Sequence, residues 1–209
     1  MKNFVVNDSE PRETAPERYS YNPLEGFYRD EQGRGPGHLF NGIDFDALPP
    51  ILRTLLVSDG TVTKFLEAYY WEPIQVKRLF HGDFILEEDV PDVGLTKGEH
   101  VLHRKVALRG VFSGRIFCYA LSYIRPNQLW PGVRDDLIKG RLGIGELLRD
   151  RRVETYRELL SYELGPVGDL AADLGAQPDE VLISRTYRIH IGRQPSLLIT
   201  EKFPVSHFV

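Results

Sequence analysis

Near its end the chain reads Pro195-Ser196-Leu197-Leu198-Ile199-Thr200-Glu201-Lys202-Phe203-Pro204. This run is typical of a β-strand, in which side chains alternate between two faces. Four side chains therefore share one face: Leu197, Ile199, Glu201 and Phe203. An ionised carboxylate on an apolar face is costly unless it is paired or neutralised. Glu201 is therefore expected to have either a buried partner or a catalytic role.

A second alternating run, at residues 99–108, places a positive charge among apolar neighbours. Arg104 shares a face there with Leu102, Val106 and Leu108. Arginine keeps its charge, and its planar fork suits a carboxylate. Two interpretations stay open. In the first, the charges have a purely structural explanation: Arg104 and Glu201 pair directly, or one of the two strands faces solvent. In the second, the two side chains hold opposite ends of a small polar ligand.

A third charged candidate is Arg185. It shares a predicted strand face with four hydrophobic or aromatic residues: Val181, Ile183, Tyr187 and Ile189. Its position makes it a candidate for substrate binding together with Arg104.

The pattern of apolar residues predicts an α+β fold. We expect six strands, at residues 74–80, 99–108, 115–125, 153–164, 181–191 and 197–203. Helices are predicted at residues 51–56, 62–70, 135–139, 144–149 and 167–174. Glycine-containing hairpin connections make the sheet mostly antiparallel, with the helices on one face.

Two segments have more specific predictions. In strand 153–164, strict alternation would place Glu158 on one face with four others: Tyr156, Leu160, Tyr162 and Leu164. Residues 84–98 are acidic and rich in turn formers, which predicts a solvated loop or, alternatively, a mobile flap over a binding site.

Composition narrows the functional classes. Of 209 residues, 42% are hydrophobic and 27% are charged, which is ordinary for a soluble globular protein. The net charge of -4 gives no general attraction for nucleic acid or anionic membranes, so an anionic ligand needs local cations. No segment approaches the roughly 18 to 20 apolar residues of a membrane span. We therefore expect a cytoplasmic monomer, with a flexible extension over residues 1–44 and one domain over residues 45–209.

Signatures of cofactor or metal chemistry are missing from the sequence. It has no phosphate-binding Gly-x-x-x-x-Gly-Lys-Ser/Thr loop, and its six histidines do not have metal-ligand spacing. The single cysteine, Cys118, lies in an apolar strand and is expected to be a core residue. No cofactor and no metal are therefore expected.

Four motifs occur in a characteristic order. They are Asp59-Gly60-Thr61-Val62-Thr63-Lys64, the strand around Arg104, Leu142-Gly143-Ile144-Gly145-Glu146-Leu147-Leu148, and the run that contains Glu201. Together they resemble the chorismate pyruvate-lyase family over residues 48–208.

The resemblance implies an internal ligand pocket and a specific activity. The family removes the enolpyruvyl group of chorismate, giving 4-hydroxybenzoate and pyruvate, without a cofactor. By resemblance, Arg104 binds the ring carboxylate, helped by the backbone N–H groups of Val62 and Ile144. Glu201 would lie near the enolpyruvyl ether. Its apolar surroundings favour the protonated form, which suits a general acid.

Two other functions stay open because a fold does not fix a reaction. One is a cyclase or lyase that acts on another small molecule in a secondary-metabolite pathway. The other is a non-catalytic domain that binds a small molecule in the same pocket.

Overall fold

A computed structural model of the protein describes residues 43–139 and 142–209. The extension predicted for residues 1–44 lies almost entirely outside the described residues. Within them, no helix is both long enough and apolar enough to span a lipid bilayer.

Six strands form one antiparallel sheet in the order β1-β2-β3-β6-β5-β4. The strands are β1 Ile74–Ile85, β2 His100–Gly110, β3 Ile116–Ile124, β4 Thr155–Pro166, β5 Val181–Ile191 and β6 Gln194–Pro204. Gly192 and Arg193 join β5 to β6 with φ values of 59° and 69°, as a two-residue hairpin turn requires. The predicted α+β fold with an antiparallel sheet is confirmed.

Within residues 43–139 and 142–209, five α-helices accompany the sheet. They are α1 Pro50–Val57, α2 Val62–Tyr70, α3 Pro131–Lys139, α4 Ile144–Asp150 and α5 Ala171–Leu174. Proline begins α1 and α3, where its fixed φ suits the first helical position and its missing N–H costs nothing. The ends of α1, α2 and α4 position the candidate site.

The two faces of the sheet have different roles. Strand pairing places Arg104 opposite Ser122, and Glu201 opposite both Ala120 and Arg185. These side chains share one face, which we call the cavity face. The starts of α2 and α4 lie over it, and α1 contacts it through Arg185.

The other face, which we call the far face, carries two apolar clusters. One of them packs segment 84–98 against the sheet through five buried residues: Leu86, Val93, Leu95, Val101 and Leu198. The other packs α5 against β3 and β5 through Tyr119, Val167, Leu174 and Leu182. The acidic residues of segment 84–98 are exposed, as the prediction of a solvated loop requires, while three apolar residues anchor the segment to the far face. The alternative of a flap over the site is not supported, because the cluster lies on the face opposite Glu201.

A β-bulge in β4 changes which residues face the cavity. The pairing with β5 shifts register between Leu159 and Ser161. Such an extra residue reverses the alternation of side chains on either side of it. Tyr162 therefore pairs with Arg185 on the cavity face, whereas Glu158 pairs with Arg188 on the far face. The prediction that one face holds all even-numbered residues of this strand is wrong.

Candidate active site

A cavity lies between the cavity face and the starts of α2 and α4. Segments 60–63 and 143–145 line it on the helix side, and β1 to β6 all contribute residues on the sheet side. Together with the solvent-open space at its mouth, it has a volume of about 580 Å³. Arg104, Glu201, Val62 and Ile144, four of the predicted site residues, line this cavity.

Arg104 is a buried cation with free hydrogen-bonding capacity. Its side chain is 2% exposed, and Nη2 donates to the carbonyl oxygen of Leu142 at 2.7 Å. The buried Nε has no hydrogen-bond partner among the described residues. Burial, and then the charge of Arg78, lowers the pKa of Arg104 to about 10, so it stays charged at neutral pH. A buried cation in this condition has donors that an anion could use.

Glu201 has a different partner from the one considered first. Its Oε2 accepts a hydrogen bond from Arg185 Nε at 2.7 Å, and its Oε1 accepts one from the Tyr187 hydroxyl at 3.1 Å. Direct pairing with Arg104 is excluded by register, because β3 lies between the two strands. The backbones of β2 and β6 are two strand spacings apart, which is roughly 10 Å. This distance leaves room for a ligand above the small side chains of Ala120 and Ser122.

Arg185 is 3% exposed and is hydrogen-bonded through both Nε and Nη1. Besides Glu201, it donates through Nη1 to the carbonyl oxygens of Leu55, Leu56 and Ser58, at 2.5, 3.1 and 3.0 Å. These carbonyls lie at the carboxyl end of α1, where a cation satisfies groups that the helix leaves unpaired.

The electrostatics around Arg185 favour an ionised pair with Glu201. Burial, the largest single influence, acts to lower the pKa of Arg185, but Glu201, Tyr187 and Tyr162 together outweigh it and the pKa is raised. The pKa of Tyr187 is also raised, by burial and then by Glu201. The contacts make Arg185 a positioning residue, and its predicted direct contact with substrate stays a prediction. The predicted role of Glu201 as a general acid also stays a prediction.

Backbone donors also reach the cavity. Helix α2 begins at Val62 and α4 at Ile144, and neither start has a side-chain cap among the described residues. The first N–H groups of a helix have no intrahelical partner, and they carry a partial positive charge. A Cβ on Gly145 would lie 3.2 Å from Thr61 Oγ1, so the lack of a side chain lets the two helix starts approach each other.

Arg157 is a cavity residue that the sequence did not predict. It lies on β4 on the amino-terminal side of the bulge, pairs with Ile189 and lines the cavity. Strict alternation along β4 would place Arg157 on the face opposite Tyr162. The bulge reverses the alternation, so both residues lie on the cavity face. The small residues Ala120 and Ser122 were also missed. Their alternation in β3 between larger residues was the available signal.

The described residues contain no group of three or more histidine, cysteine, aspartate or glutamate side chains that could hold a metal ion. The charged groups that line the cavity are guanidinium and carboxylate groups. This arrangement can bind carboxylates and transfer protons.

Comparison with known proteins identifies the family. A family model described as "Chorismate pyruvate-lyase Rv2949c-like" matches residues 56–208. The chain belongs to this family. A family relative named chorismate pyruvate-lyase from Mycobacterium leprae is 31% identical over 158 residues, which are 75% of this chain and 75% of the relative.

A second relative with the same name, from Mycobacterium tuberculosis, is 27% identical over 161 residues, covering 75% of this chain and 81% of the relative. The family fold also resembles a solved structure, the effector domain of PhnF from Mycobacterium smegmatis. The TM-score is 0.55 with 16% identity, covering 70% of this chain and 90% of that one. At this identity the likeness concerns the fold alone.

Proposed function

We propose that the protein is a chorismate pyruvate-lyase, a carbon–oxygen lyase that converts chorismate into 4-hydroxybenzoate and pyruvate. One observation carries the proposal. Arg104 and Glu201 line one cavity from the two sides of β3, with only small side chains between them. This spacing supports a ring bound by its carboxylate at Arg104, with its reacting carbons towards Glu201.

The charges of the cavity support a small anionic substrate. Arg104 is free to accept a carboxylate, and the uncapped starts of α2 and α4 add donors near it. A guanidinium fork and backbone N–H groups together hold a carboxylate in one orientation. These local groups oppose the overall charge of -4.

The proposed reaction is an elimination that needs one proton acceptor. Glu201, which contacts Arg185 through its Oε2, takes the proton from ring carbon C4 as the C3–O bond breaks and the ring becomes aromatic. The protonated Glu201 then gives a proton to the methylene carbon of enolpyruvate, which becomes pyruvate. No water or redox partner is consumed, and the carboxylate is regenerated. Formation of the aromatic ring drives the reaction, so the protein supplies orientation and proton transfer.

Incubation of the purified protein with chorismate tests the proposal. We expect 4-hydroxybenzoate and pyruvate to appear in equal amounts, as followed by chromatography and by a coupled pyruvate assay. Protein unfolded by heat serves as the control for spontaneous decay. If the folded protein binds chorismate but does not consume it, a non-catalytic binding domain replaces this proposal. If it neither binds nor consumes chorismate, another substrate for the same pocket is indicated.

A further inference from the structure

We infer that Arg157 binds a second carboxylate, so that the cavity selects small ring compounds with two carboxylates over those with one. This inference rests on the proposed function and extends it by naming the class of ligand and a further binding residue. It starts from the contacts of Arg157 itself.

Arg157 is held in place but keeps binding capacity. Its Nη1 donates to the carbonyl oxygen of Gly60 at 3.0 Å, and its Cζ lies 5.9 Å from the centre of the Tyr187 ring. Because Tyr187 lies on the neighbouring strand β5, the Arg157 side chain extends across the sheet towards the cavity. Its Nε is buried and has no hydrogen-bond partner among the described residues. A guanidinium group fixed in this way is ready to bind an anion.

Arg104 and Arg157 differ from the other cations near the cavity. Arg185 pairs with Glu201, and on the rim Arg149 contacts Asp150 at 2.8 Å. Within the described ranges, neither Arg104 nor Arg157 has an ion pair with a carboxylate. The cavity therefore presents two cationic groups that lack a counterion. Chorismate is a dianion, so its charges match the two groups in number.

The order of the strands also matches such a ligand. Arg104 lies on β2, Glu201 on β6 and Arg157 on β4, in that order across the sheet. The backbones of β2 and β4 are about 19 Å apart at the usual strand spacing, and the two arginine side chains span part of this distance. A ring carboxylate at Arg104 would place the ether near Glu201 and the enolpyruvyl carboxylate near Arg157.

Arg157 also stands where a ligand would enter. It lines both the cavity and a more open depression outside it, and the two spaces share Gly60, Thr61 and Gly145. The outer depression carries two more cations, Lys64 and Arg149. An arriving dianion would therefore meet positive charge before it reaches Arg104.

The test compares two unreactive ligands, one with two carboxylates and one with a single carboxylate. The dianion is 3-(1-carboxyethenyloxy)benzoate, which is already aromatic and cannot eliminate, and the monoanion is 4-hydroxybenzoate. Calorimetry measures their Kd values for wild type, Arg157→Met and Arg149→Met. Arg149→Met is the matched control, because it makes the same change of charge but lines only the outer depression. Arg157→Lys tests whether the charge alone restores binding.

For Arg157→Met we expect Kd to rise about 10- to 100-fold for the dianion and to stay unchanged for the monoanion. Arg149→Met should leave both values near wild type, and Arg157→Lys should restore part of the loss. With chorismate, Arg157→Met should raise KM more than it lowers kcat.

Several results would overturn the inference: equal losses for both ligands, an equal effect of Arg149→Met, or no loss at all. Failure of the inference is distinguishable from failure of the proposed function. A wild-type protein that binds the dianion through Arg157 without consuming chorismate would refute the function and keep the inference. Turnover of chorismate that Arg157→Met does not change would refute the inference and keep the proposed function.

Discussion

Two arginines are buried on the same face of one sheet, and their surroundings are opposite. Arg185 bonds a carboxylate and three carbonyl oxygens. Arg104 bonds one carbonyl oxygen and keeps a buried Nε without a partner among the described residues. Burial is nearly equal, so burial alone does not distinguish the two arginines. The number of their protein hydrogen-bond partners does.

The comparison predicts the largest loss of stability at Arg185. Arg185→Met leaves an ionised Glu201 buried without its partner and removes the cation at the end of α1. We expect the free energy of unfolding to fall by about 3–5 kcal/mol, as measured by urea denaturation at pH 7.

A double variant controls for general loss of packing at this site. Arg185→Met with Glu201→Leu removes both charges, and it should recover much of the stability, because no unpaired charge remains. A double variant that is as unstable as the single one would show that the ion pair is not the cause.

Glu201→Gln tests the chemical role of the engaged site. The amide keeps the size of the side chain and can still accept a hydrogen bond from Arg185, but it cannot carry the proton. Turnover of chorismate should fall about 100- to 10,000-fold, while the affinity for 4-hydroxybenzoate stays unchanged in calorimetry. Near-normal turnover would contradict the proposed proton transfer.

Arg104→Met should mainly weaken ligand binding, whereas Arg185→Met should mainly lower stability. Arg104→Met removes a cation that has one hydrogen-bond partner among the described residues, so the free energy of unfolding should change by no more than about 1 kcal/mol. The Kd for 4-hydroxybenzoate should rise about 10- to 100-fold, because a charge-assisted contact is lost. If this variant is destabilised as strongly as Arg185→Met, Arg104 is a structural residue and the comparison fails.

The smallest expected effect concerns His103 on the far face. Its ring is 5% exposed and packs against Phe80, Phe84 and Tyr123. Burial, and then the charge of Lys105, lowers the pKa of His103. The unfolded chain therefore binds a proton at His103 more readily than the folded protein does. The stability associated with the neutral ring is present above about pH 6.5 and is lost as the pH falls.

Thermal melts of wild type and His103→Phe at pH 8 and pH 5.5 measure this effect. The variant should lose less in Tm between the two pH values, because it lacks the titrating ring. Equal losses in both proteins would show that His103 does not contribute.

Alternation along the strands predicted the fold and two site residues. Arg104 and Glu201 were assigned to an apolar face, and both are buried on the cavity face. Alternation shows a face but not a neighbour, so it could not show that Glu201 pairs with Arg185. That pairing depends on register and on the order of strands, which place β5 next to β6 and β3 between Arg104 and Glu201.

Other features depended on contacts between distant segments. Residues 84–98 look like a polar loop in sequence. In the structure, Leu86, Val93 and Leu95 are nevertheless buried together in one cluster. Arg157 was hidden because a bulge has no fixed composition. Helix starts at Val62 and Ile144 could be placed from sequence, but their meeting at Gly145 could not.

The bulge in β4 has a consequence for how the family can diversify. One extra residue between Leu159 and Ser161 separates two stretches of the strand whose pairings with β5 are each regular. Loss of that residue would join them into one regular strand, with Arg157 still opposite Ile189 and Tyr162 still opposite Arg185. A single-codon deletion at Leu160 would thus shorten the strand without exchanging the side chains that face the cavity.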